Sequence, residues 1–98
     1  MLKRIECLVS AQRVGYSYLL WIGKTAISLG LKGLAFIKDD GSIQITAEGD
    51  DESLSKFIKR VKIGHPIFHM FITINNFFVK WHEPTNEFKD FSISVNKD

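Results

Sequence analysis

A single cysteine, Cys7, stands in the whole chain. It has no internal partner, so an intramolecular disulfide is excluded and nothing argues for an oxidising compartment. Charge of one sign is also scarce. Thirteen Lys and Arg face eleven Asp and Glu, a formal net charge of +2 in 98 residues. That is too little to argue for nucleic acid on electrostatics alone. The most apolar stretch, YSYLLWIG, is too short to span a bilayer, and Lys24 ends it. The opening MLKRIECLVSAQ has a signal peptide's charges but not its apolar stretch, because Glu6, Ser10 and Gln12 interrupt it. The expectation is a cytoplasmic protein without a membrane partner. His65, His69 and His82 lack metal-ligand spacing on any one element, so no metal or other cofactor is expected. Ser10 and Ser17 have no His/Asp partners that would make a nucleophilic triad. Repeats, low-complexity tracts and interior linkers are missing, and the length suits one domain over residues 1–98.

What is present is patterned. Ile5, Cys7 and Val9 alternate with Arg4, Glu6 and Ser10, which predicts a half-buried strand over 3–10 with Cys7 as small core filler. Tyr18, Ile22, Ala26 and Leu29 recur at the helical period, predicting a helix over 17–29 that Gly30 ends. A strand at 32–38, a tight Asp-Asp-Gly hairpin turn at 39–41 and a strand SIQITAEG follow. In that strand Ile43, Ile45 and Ala47 face one way, and Ser42, Gln44, Thr46 and Glu48 the other. Asp50 or Asp51 caps a second helix with Leu54, Phe57, Ile58 and Val61 as its stripe, broken by GHP at 64–66. Its Lys and Arg residues between 56 and 62 read as a solvated face. A β-rich stretch from Ile67 to Trp81, bent or bulged at Asn75-Asn76, leads to Pro84, a loop and a last strand FSISV. The order βαββαβ plus a short strand predicts an α+β, ferredoxin-like sandwich: a mostly antiparallel sheet with two helices on one face.

With these elements in place the chain resembles the acylphosphatase family over nearly its whole length. The residues that carry the resemblance are LGLKG (29–33), DDGSIQITAEGDDESLSKFI (39–58) and VKWHEPTNEFKDFSI (79–93). The resemblance implies the acylphosphatase-type sandwich. It also implies hydrolysis of an acyl phosphate to a carboxylate and phosphate, without metal or cofactor. The family signature after the first strand reads roughly V-S-G-x-V-Q-G-V-x-F-R: backbone N–H groups cradle the phosphate and the Arg holds its charge. An Asn on the second strand, in G-W-V-x-N, positions the attacking water.

Laid on that pattern without gaps, Val9, Ser10, Gly15 and Gly33 match. Arg13, Val14, Gly15, Tyr16, Ser17 and Tyr18 fall on the anion loop, with Tyr18 at the Phe position. Leu19 falls on the catalytic Arg and Ile37 on the Asn, with Leu34 replacing the Trp. A shifted register, Gln12 to Tyr16 on the signature, puts Ser17 on the Arg and needs a two-residue insertion. Neither register supplies an arginine. Losing one oriented donor typically costs roughly 3–4 kcal/mol of barrier, and aliphatic walls disfavour a dianion. The implied reading is a family domain with hydrolysis lost or strongly impaired, acting in binding or self-association. An active acylphosphatase using an atypical residue such as Arg13 is the alternative, with retained anion binding by the loop amides a further expectation. A nucleic-acid-binding ferredoxin-like domain, with Phe71, Phe77 and Phe78 as candidate aromatics, is a third and disfavoured reading. Finally, Leu19, Leu20, Trp21 and Ile27 exceed the core stripe of helix one. They either fold over the core edge or form a contact patch for a homodimer or protein partner.

Overall fold

The structure, a computed structural model, describes residues 1–11, 16–63 and 74–94. Five strands and two helices follow in the order β1 (Leu2–Ala11), α1 (Tyr16–Ser28), β2 (Lys32–Ile37), β3 (Ile43–Asp50), α2 (Asp51–Ile63), β4 (Ile74–His82) and β5 (Phe91–Ser94). They form one sheet in the order β4-β1-β3-β2-β5. β1 pairs antiparallel with both β3 and β4, β2 pairs antiparallel with β3, and β2 pairs parallel with β5. This is the predicted two-layer arrangement.

Alternation decides which face of the sheet is covered. Ile5, Cys7, Val9, Ala35, Ile43, Ile45 and Ala47 are buried in one cluster with Tyr18, Leu19, Ile22 and Ala26 of α1 and Leu54, Phe57 and Val61 of α2. Both helices therefore lie on the same face. Burial of this kind contributes about 1.5–3 kcal/mol for each large side chain. Burial also pushes the Cys7 thiol up to about 12, so it is inert filler rather than a nucleophile.

The element ends follow local chemistry. At the end of α1, Gly30 N–H donates to the Ile27 carbonyl at 3.0 Å and Leu31 N–H to that of Ala26 at 3.0 Å, the paired bonds of a Schellman stop. Asp50 caps α2, its Oδ2 accepting from Glu52 N–H at 3.2 Å. The register of β1 against β4 steps from Ser10 opposite Asn76 to Ala11 opposite Ile74, so Asn75 is the extra residue of a bulge at the predicted Asn-Asn pair. The predicted tight hairpin turn at 39–41 is present. Gly41 N–H bonds the Lys38 carbonyl at 2.9 Å, Lys38 N–H bonds that of Ser42 at 2.7 Å, and only Gly41 (φ 89°) has a positive φ. One glycine in a three-residue loop thus supplies the positive φ that this turn needs. The predicted break at 64–66 and the first part of the long β-rich stretch, up to residue 73, lie outside the described residues.

Candidate functional site

The positions that the resemblance makes catalytic sit at one end of the sheet. On the helix-covered face Ile37 pairs with Ile43, Ile43 with Val9, and Val9 with Phe77, giving a wholly apolar row across four strands. β1 ends two residues after Val9, and α1 begins at Tyr16. The end of β1, the start of α1 and the end of β2 therefore converge there. Among the loop positions singled out, Arg13, Val14 and Gly15 lie outside the described residues. Tyr16 and Ser17 are exposed in the first turn of α1, which carries no acidic residue.

Tyr18 is committed to packing. Its ring stacks on Trp21 with centroids 5.6 Å apart and planes at 21°. Its hydroxyl donates to the Val61 carbonyl at 3.1 Å. That carbonyl is among the last four of α2, which have no partner inside the helix. Burial pushes the phenol up to about 12, so it stays a neutral donor. Leu19 is 0% exposed. It has no hydrogen-bonding atom, and it belongs to the core cluster. Ile37 is half-buried and packs against the same cluster. The two side chains that the ungapped resemblance puts at the family's Arg and Asn positions are thus hydrocarbon, Leu19 buried and Ile37 half-buried.

The contact patch on α1 divides. Leu19 is not part of any surface, and Trp21 is half-buried against the core. Both flank the Tyr18–Ile22 stripe, and the core-facing band of a helix is wide enough to take them in. Leu20 (37% exposed) and Ile27 (60%) stay outside, aligned with Tyr16 at steps of four and seven. Lys24 is exposed between them.

A polar cluster on the opposite face escaped the sequence reading. Glu48 alternates outward from β3, yet its side chain is only 7% exposed. Its Oε2 accepts from Arg4 at 2.9 Å and from Thr85 N–H at 2.8 Å, and its Oε1 accepts from Asn86 N–H at 2.9 Å. The Thr85 hydroxyl lies 2.9 Å from the same Oε2. Arg4 also bonds Glu87 at 2.9 Å and stacks over Phe88 at 5.6 Å. Desolvation opposes the charge on Glu48. The Thr85 amide, Arg4, the Thr85 hydroxyl and the Asn86 amide together outweigh it and hold the carboxyl down to about 2. One carboxylate thereby fastens the loop between β4 and β5 onto the sheet. The only sequence signal was the polar EPTNE stretch, and it does not say where that loop lands. His82 lies 3.5 Å from Glu6. Among the described residues no group of His, Cys, Asp and Glu is arranged to hold a metal, and no helix is long and apolar enough to cross a membrane.

Two helices on one face of a five-stranded mixed sheet, with a strand-to-helix junction at the sheet's end, define a ferredoxin-like α+β domain. The acylphosphatase family model matches residues 10–93. The chain belongs to the acylphosphatase family. It is 37% identical over 90 residues to an acylphosphatase of Thermotoga maritima, covering 92% of this chain and 90% of that one. It is 35% identical over 82 residues to an acylphosphatase of Caldanaerobacter subterraneus, covering 84% of each. The crystal structure of acylphosphatase from Bacillus subtilis superposes with a TM-score of 0.83 at 26% identity, covering 97% of this chain and all of that one.

Proposed function

We propose that this domain keeps the acylphosphatase scaffold but not its hydrolytic activity, and that it works by binding. The observation that carries the reading is that Leu19, which the ungapped resemblance aligns with the family's phosphate-holding Arg, is a wholly buried side chain with no donor. Ile37 at the Asn position supports it, since no amide is left there to orient water. Acyl phosphate hydrolysis needs donors aimed at charge that moves as the bond breaks. Each oriented donor removed costs roughly 10²–10³ in turnover.

The direct test is hydrolysis of an acyl phosphate, run beside the Thermotoga maritima relative. Release at the uncatalysed background is expected. Turnover comparable to the relative and abolished by Arg13→Ala would overturn the reading and identify Arg13 as a substitute cation.

The second reading, an active acylphosphatase with atypical residues, is favoured by the name its relatives carry. The same assay decides between the two.

The outer stripe of α1, Tyr16, Leu20 and Ile27, is the surface we assign to self-association. Light scattering is expected to give about twice the 11.2 kDa of the chain, and Ile27→Glu to return it to the monomer. A monomer at all concentrations would remove self-association from the proposal.

A further inference from the structure

The face of the sheet turned away from the helices carries a row of side chains that the hydrolysis question leaves untouched. Strand register sets Phe78, Leu8, Gln44 and Phe36 side by side across β4, β1, β3 and β2. Their chain neighbours Val79, Cys7, Ile45 and Ala35 face the helix-covered core, so alternation turns the row outward. Phe78 is 61% exposed. Leu8, Gln44 and Phe36 are partly exposed. A cavity of about 400 Å³ opens over Phe78, Leu8 and Gln44, with Lys38, Lys80 and Glu6 also in its lining.

An apolar floor alone would not choose an occupant; the polar groups around it do. Gln44 offers a donor and an acceptor beside the rings. Lys38 and Lys80 lie in the lining and form no ion pair among the described residues. Glu6, opposite Lys80 in the register, already pairs with Arg4 at 3.8 Å, and His82 lies 3.5 Å from it. An apolar partner closing over this face would strip water from the lysines and the amide without replacing it. A ligand that alternates flat π faces, hydrogen-bonding edges and negative charge satisfies all three kinds of group at once.

We propose that this open face binds single-stranded nucleic acid. Bases stack on Phe78 and Phe36, Gln44 meets a base edge between them, and Lys38 and Lys80 take phosphates. The two rings stand three strand spacings apart, about 14 Å, so each serves its own base. Of the phenylalanines named from the sequence, Phe78 serves here. Phe77 packs inward against the core, and Phe71 lies outside the described residues. Duplexes hide their π faces in the stack and would not use this site. With only two lysines engaged, affinity rests on stacking, and the salt slope is shallow, about that of two phosphates.

The test is fluorescence anisotropy with labelled single-stranded RNA and DNA oligomers of the same sequence, and with a duplex control. At low salt both single strands are expected to bind and the duplex to bind more weakly. Phe78→Ala is expected to weaken binding roughly tenfold, while Phe78→Tyr retains it. Phe78 is exposed, so neither variant threatens folding, and circular dichroism checks this. Lys38→Glu with Lys80→Glu is expected to flatten the salt dependence. No binding at low salt, equal affinity for the duplex, or indifference to Phe78→Ala would each overturn the proposal. The site is on the other face of the sheet from Leu19 and Ile37. The hydrolysis assay and this one therefore succeed or fail independently.

Discussion

Gly33→Ala is expected to cost more than about 4 kcal/mol and to lower the urea midpoint sharply. Gly33 sits at φ 151°, inside the region that L side chains rarely adopt. An added Cβ would fall on the carbonyl oxygen of Thr46, 2.8 Å from its carbon and 2.9 Å from Ala47 Cα. All three contacts are backbone, so no side chain can turn away to relieve them. Gly33 is also flanked on both sides, opposite Ala47 of β3 and Phe91 of β5, and its N–H donates to the Asp90 carbonyl at 2.9 Å. Moving it away from β3 pushes it against β5. Total stabilities of small domains run at about 5–15 kcal/mol, so the loss is a large share of what is available. Far-ultraviolet circular dichroism and urea unfolding check this. A variant with a near-native urea midpoint would show that β2 and β3 can separate by the width of a methyl group.

Glu48→Ala is expected to lower stability by about 3 kcal/mol. The change leaves Arg4, 14% exposed, without its buried partner, and leaves the N–H groups of Thr85 and Asn86 with no acceptor. The same carboxylate sets a pH dependence. A carboxyl held at about 2 against an ordinary 4.5 is charged in the folded chain well below the pH at which it protonates in the unfolded one. Its contribution is full above pH 4.5 and is lost as pH falls from there towards 2. In that window the unfolded state takes up the proton first, so acid favours unfolding. Urea midpoints between pH 2 and 6 should therefore fall steeply for the native chain, and Glu48→Gln should flatten the slope. An equal slope in both would place the acid sensitivity elsewhere.

Much of this fold was legible because its elements announce themselves locally. The strand alternation at 5–9 and 43–47, the stripe of α2 and the Gly30 stop needed nothing beyond a few neighbours. The Asn75 bulge was legible for the same reason. The turn at 39–41 was legible from Asp-Gly, which fits two loop geometries, and backbone hydrogen bonds choose between them. Glu48 shows a different limit. Alternation gives the side of the sheet a residue faces, not whether a loop from far along the chain will roof it. Leu19 shows a third. A helical stripe counted at one residue per turn understates the band that a sheet covers, so the sequence left its neighbours open between the core edge and a contact patch. At the candidate site the sequence offered a register against the family pattern, and the structure adds that Leu19 is sealed into the core.

The position of β1 has a consequence for how the chain folds. The strand earliest in the chain is held between two later ones, with Leu8 opposite Gln44 on one side and Phe78 on the other. Its second partner is about seventy residues away in sequence. Closing so long a loop is entropically costly and rewards the chain only at the end. During synthesis β1 must wait, half-paired with β3, until residues 74–82 have left the ribosome. Its open side is then an unpaired edge, and that waiting state is where misassembly would begin.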